Sequence, residues 1–107
     1  MGKSSLQHFE LHVLLAIVRA GGEAYSVPLV LALEQRMRRA VSQAAVFIAL
    51  RRLEKKGLVT SRVEDAESGR VRRYFAITRA GTAAVKAQRE EHLRLWEGLP
   101  RGLRSRS

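Results

Sequence analysis

Residues 42–81 read SQAAVFIALRRLEKKGLVTSRVEDAESGRVRRYFAITRAG, which parses into a capped helix, two extended runs and the start of a second capped helix. Ser42 can accept a hydrogen bond from a free backbone N–H, and the helix it opens runs to Lys56, with Gly57 in the position that follows a helix C-cap. Helical periodicity puts Val46, Ala49, Leu50 and Leu53 on one face. Gln43, Ala44, Phe47, Arg51, Lys55 and in part Arg52 lie on or beside the other, so the exposed side is cationic. Leu58 to Val63 reads as a strand, Glu64 to Arg70 as a polar turn with Ser-Gly punctuation, and Val71 to Ile77 as the return strand. Alternation sets Arg73, Phe75 and Ile77 on one face of that strand and Arg72, Tyr74 and Ala76 on the other, with Phe75 and Ile77 expected to be buried.

Upstream, Leu6, Phe9, Val13, Ile17 and Ala20 recur at helical spacing until Gly21-Gly22 stops the run. A second stripe of Leu11, Leu14, Leu15 and Val18 makes this first helix apolar over more of its surface than one core requires. Ser26 followed by Val27-Pro28 reads as the cap and first turn of a second helix ending near Met37, with Arg39-Ala40-Val41 as the connection to the third. Downstream, Thr78 caps a fourth helix with Val85, His92, Leu95, Trp96 and Leu99 on a broad apolar side; it frays near Gly98, and Pro100 closes it.

The expected fold is mainly α with a two-stranded β-hairpin wing, a winged helix-turn-helix followed by a C-terminal dimerisation helix. The expected division is 1–78 for the winged helix-turn-helix DNA-binding domain, 79–99 for the dimerisation helix and 100–107 for a disordered basic tail.

A chain of 107 residues fits one domain, and with 46% apolar and 28% charged residues it has ordinary globular composition. Twenty Lys and Arg against ten Asp and Glu give a formal charge of +10, a field that attracts polyanions, nucleic acid ahead of anionic membrane. No apolar run is long enough to span a bilayer, and the absence of cysteine excludes disulfides and thiolate chemistry. The start MGKSSL carries no signal-peptide core and lacks the Ser or Thr at position 6 that myristoylation requires, so the expected compartment is the cytoplasm.

The charge concentrates where this architecture would use it. From Arg36 to Arg73 there are eleven basic residues and four acidic ones, three of the acids being Glu64, Asp65 and Glu67 at the hairpin tip. Double-stranded DNA is the expected partner. Gln43, Ala44 and Phe47 would approach base edges and sugars, with Ser42 beside them among the DNA-binding candidates, while Arg39, Arg51, Arg52 and Lys55 neutralise phosphates. Arg70, Arg72 and Arg73, just past the tip, would reach a flanking minor groove or the backbone. Two other readings stay open: a winged-helix module for protein–protein contact or scaffolding, without sequence-specific DNA binding, and a non-specific nucleic-acid coating protein helped by Arg101, Arg104 and Arg106.

The segments VFIALRRLEKKGLV (46–59) and GRVRRYFAITRAG (69–81), with Tyr25 ahead of the second helix, resemble the PadR family of winged helix-turn-helix transcriptional regulators. The resemblance spans Leu11 to Val85 and implies the short type with a single C-terminal helix. Phe47 stands where the family usually has Tyr, so a hydroxyl contact to phosphate is lost there.

The resemblance and the surplus apolar stripes agree on a homodimer, with Leu11, Leu15, Val18, Val85, His92, Leu95, Trp96 and Leu99 at its interface. In such proteins a cleft between subunits accepts small aromatic or apolar effectors; His92 and Trp96 are the candidates to line it, with Trp96 as a plain interface anchor the alternative. The function implied is a repressor relieved by such a ligand. No cofactor is expected, and no nucleophile with its base, phosphate loop or paired carboxylates points to an enzyme. His8 and His12 stand at i and i+4 and share a helix face, but residue 9 is Phe and no third ligand is near in sequence, so they read as surface histidines with no metal.

Overall fold

In the computed structural model, which describes residues 6–65, 69–100 and 102, seven elements follow one another. They are α1 (His8–Arg19), β1 (Glu23–Tyr25), α2 (Ser26–Met37), α3 (Gln43–Lys55), β2 (Val59–Asp65), β3 (Val71–Ile77) and α4 (Arg79–Leu95). The basic tail and Glu67 of the hairpin tip fall outside the described residues, apart from Pro100 and Gly102.

The apolar periodicity of α1, α2 and α3 converges on one core. Val13, Leu14 and Ile17 of α1, Leu29 and Leu33 of α2, and Val46, Leu50 and Leu53 of α3 are all buried there, closed from the sheet side by Val59 and Phe75. Leu14, placed by periodicity on the surplus stripe, belongs to this core. Phe75 is buried as the alternation required, while Ile77 is half-buried at the rim.

The hairpin is part of a larger sheet than expected. β1 pairs antiparallel with the outer edge of β3, Tyr25 opposite Tyr74, giving three strands in the order β1-β3-β2. β2 also extends two residues further than its apolar pattern suggested, pairing Glu64 with Arg72 and Asp65 with Val71.

Ser42 caps α3 as expected, its Oγ accepting from the Ala45 N–H at 3.0 Å. Thr78 does the same for α4, accepting from Gly81 at 2.9 Å. Ser26 does not cap α2: it is the first helical residue, and Tyr25, whose backbone belongs to β1, holds the cap position without a side-chain bond. The turn between α2 and α3 starts with Arg38 in the left-handed region (φ 57°) and is tied by Glu34, whose carboxylate accepts from the Val41 N–H at 3.1 Å. Helix α4 ends at Leu95, so Leu99 lies beyond the helix rather than on its apolar side. No helix among the described residues is long and apolar enough to cross a membrane.

Candidate nucleic-acid interface

With Val46, Ala49, Leu50 and Leu53 committed to the core, α3 turns its remaining surface outward. Gln43, Ala44, Arg51, Arg52 and Lys55 are exposed, and Phe47 keeps 41% of its surface open. Phe47 is anchored all the same: its ring meets Phe75 edge-on at 6.4 Å, and the Arg51 guanidinium stands 5.8 Å from its centroid. An aromatic ring held between the core and a cation can contact a sugar or base face without losing its own packing. Ile48, 53% exposed beside it, carried no functional expectation; an apolar residue on the cationic face is the signal that would have marked it.

The hydroxyl of Ser42 holds the first turn of α3, where Gln43 sits. Ser42→Ala is expected to lower stability by about 1 kcal/mol, measured as a shift in the denaturant midpoint at unchanged slope.

Not all of the expected phosphate-binding arginines are equally available. Arg51 lies 3.8 Å from Glu54 and keeps more than half of its side chain in solvent, so it can exchange that carboxylate for a phosphate. Arg52 reaches back to the Gln7 side chain at 3.4 Å. Arg73 donates to Ser61 Oγ at 3.1 Å, and Ser61 donates in turn to Glu54 at 2.7 Å, so the wing is laced to α3 through a polar chain. Arg39 and Arg70 are exposed at the α2–α3 turn and at the base of the wing tip.

Arg72 and Arg73 leave β3 on opposite faces. Arg72 stacks on the Tyr25 ring at 4.5 Å, Tyr25 meets Tyr74 edge-on at 5.4 Å, and Arg62 stacks on Tyr74 at 4.7 Å. Arg62 had drawn no expectation, yet it is the brace of this outer face. It donates to both carboxylate oxygens of Glu23, at 3.0 and 3.2 Å, and lies 3.4 Å from Glu64. The hydrogen bond from Arg62 holds the Glu23 carboxyl below its ordinary pKa, and the same pairing raises that of Arg62. Glu64 thus pairs with a neighbouring arginine and offers less repulsion to an approaching phosphate.

Between the α3 face and the wing lies a concavity of ≈ 320 Å³ that brings Tyr25, Phe47, Arg70, Arg72 and Arg73 together. Of the α3 residues expected at DNA, Phe47 alone borders this concavity together with the three wing arginines.

Six of the eight residues expected at a dimer interface divide into two groups, with Val18 and Leu99 outside both. Leu11 and Leu15 of α1 and Val85 and His92 of α4 line one groove of ≈ 420 Å³, which His8, His12 and Leu93 also line. Leu95 (69% exposed) and Trp96 (41% exposed) stand past this groove at the end of α4, and Trp96 borders a separate shallow surface with Leu93 and Gly98. His92 and Trp96 remain neighbours, their rings 6.3 Å apart. Val18 is exposed on α1 and is not part of the groove.

Residues 14–87 match the family described as Transcriptional regulator PadR-like family. Among solved structures, RosR of H. salinarum superposes with a TM-score of 0.70 at 23% identity, covering 89% of this chain and 81% of that one. A PadR family transcriptional regulator from Eggerthella lenta gives 0.69 at 24% identity, covering 92% and 89%. A PadR-like transcriptional regulator from Bacillus cereus gives 0.67 at 22%, covering 81% and 82%. At these identities the likeness is one of fold. No curated protein sequence matches the chain.

Proposed function

The chain belongs to the PadR-like family, a family of DNA-binding transcriptional regulators rather than enzymes, and from that premise we propose that it acts as a homodimeric, sequence-specific repressor. The observation that carries the reading is the state of α3: its apolar face is docked in the core while Gln43, Phe47 and Arg51 remain on the surface. Gln43 reads base edges, where a side-chain amide pairs with adenine, and Ser42, Ala44 and Phe47 pack on sugar or base. Arg39, Arg51, Arg52 and Lys55 neutralise backbone charge, and Arg70, Arg72 and Arg73 of the wing engage the flanking groove.

Residues 1–78 form the DNA-binding unit, residues 79–99 the dimerisation element, and 100–107 a basic extension. Support for the dimer comes from the groove between α1 and α4 and from the exposed Leu95 and Trp96, apolar surface that a second copy would cover. A two-fold axis then sets the two recognition helices about 34 Å apart and calls for a pseudo-palindromic operator. The same groove and Trp96 suit a flat apolar effector, whose binding at the subunit boundary would change the helix spacing and release DNA.

The test is affinity for an operator, found by selection from a random duplex pool, against random duplex at fixed salt. A regulator of this kind shows a steep salt dependence and prefers the operator by about a thousand-fold or more. Arg51→Ala should weaken both duplexes alike and reduce the salt slope by about 1, whereas Gln43→Ala should cost about 1–3 kcal/mol on the operator alone. Equal affinity for both duplexes would end the claim of specificity.

A further inference from the structure

The two histidines of α1 stand where the regulatory reading assigns them no task. His8 and His12 are one helical turn apart, and their Nε2 atoms lie 3.2 Å from each other, rings edge to face with centroids 4.8 Å apart. At that distance one neutral imidazole donates its N–H to the lone pair of the other. The same pair of nitrogens can hold a metal ion in place of the shared proton. A zinc ion that binds two imidazole nitrogens at about 2.0–2.1 Å in tetrahedral geometry sets them about 3.3–3.4 Å apart. The helix backbone thus delivers both donors at chelating distance, with no main-chain rearrangement needed.

We propose that His8 Nε2 and His12 Nε2 form a two-nitrogen chelate for a borderline divalent transition cation, Cu²⁺, Ni²⁺ or Zn²⁺, in the lining of the α1–α4 groove. Water fills the other coordination positions, because no cluster of three or more His, Asp or Glu able to hold a metal exists among the described residues. His8 is exposed, so the pair is open to solvent. Arg19 and Arg39 lie within electrostatic reach of the His12 imidazole. These arginines repel cations in general. The site therefore favours ions that gain from bonding to nitrogen, in the order Cu²⁺ above Ni²⁺ and Zn²⁺, and rejects Mg²⁺ and Ca²⁺, which want oxygen.

The inference is independent of DNA binding and is tested on the full chain without DNA. Cu²⁺, Ni²⁺ and Zn²⁺ are titrated in competition with a chromophoric chelator, while the imidazole C–H resonances are followed by NMR. The expected result is one ion per chain, perturbation of the His8 and His12 signals ahead of His92, and a loss of affinity of about ten-fold or more in either His8→Gln or His12→Gln. His92→Gln should bind as the parent does, and Ni²⁺ should raise the thermal midpoint of the parent but not of His12→Gln. Three outcomes would overturn the proposal: no binding by the parent, undiminished binding by His8→Gln and His12→Gln, or an equal loss on His92→Gln.

Discussion

Gly81→Ala is expected to destabilise the protein by about 3 kcal/mol, although replacing glycine by alanine inside a helix ordinarily stabilises it by about 1 kcal/mol. Gly81 is buried in the first turn of α4, and its backbone lies against the corner where α3 passes into β2. A Cβ at this position would overlap the Leu58 carbonyl oxygen and stand 2.8 Å from Ile77 Cγ1. The first obstacle is main chain and cannot swing aside. Relief requires α4 to lift, and the bonds that seat its cap residue resist: Thr78 N–H to Leu58 O at 3.0 Å and Thr78 Oγ1 to Gly57 O at 2.8 Å. Overpacking of this kind costs about 1–3 kcal/mol, and each strained or broken hydrogen bond adds about 1. Urea unfolding of the parent and variant measures the difference, and a variant more stable than the parent would show that α4 does not dock as described. Since α4 also forms one wall of the groove assigned to the dimer, the variant should dimerise less as well.

The contrast between α3 and β1 shows what local pattern carries and what it does not. Ser42, the alternating faces of α3 and Gly57 are all local signals, written within one element, and each was legible. β1 has only Glu23, Ala24 and Tyr25, too few residues for a period to register. Its existence depends on the open edge of β3, and its absence from the expectation also misplaced the α2 cap at Ser26. The outward positions of Gln43, Phe47 and Arg51 followed from helical spacing, and the opposite faces of Arg72 and Arg73 from strand alternation. Their present partners did not follow. Arg73 reaches Ser61, which in turn donates to Glu54, and Arg62 reaches Glu23, only because the register aligns Ser61 with Phe75 and Arg62 with Tyr74. Glu10 is a different kind of omission: it lies three, four and seven residues before Val13, Leu14 and Ile17, on the core stripe itself, and a carboxylate there signals a buried partner.

That partner is Lys56, and the second large effect is expected there. Glu10 is 2% exposed, and Lys56 Nζ donates to its Oε1 at 2.6 Å, joining the first turn of α1 to the C-cap of α3. Oε1 also accepts from the Gln7 N–H at 3.1 Å, while Oε2 is buried without a hydrogen-bond partner among the described residues. The two ends of the bridge are unequal. Lys56 keeps 27% of its side chain in solvent, so its ammonium can turn to water when Glu10 is removed; the carboxylate has no such escape. Lys56→Met should therefore cost about 3–5 kcal/mol, the range for a buried charge stripped of its counterion, and Glu10→Leu distinctly less. Glu10→Leu combined with Lys56→Met removes both charges and should recover most of the loss, giving a coupling of about 2 kcal/mol or more in a double-mutant cycle of unfolding free energies. Additive single effects would mean that the bridge holds nothing. If the coupling is found, operator affinity of the double variant separates two roles. An apolar pair keeps α1 against α3 but no longer fixes the direction of approach, so a stable double variant with weakened operator binding would assign the buried pair to aiming the helix that carries Gln43 and Arg51.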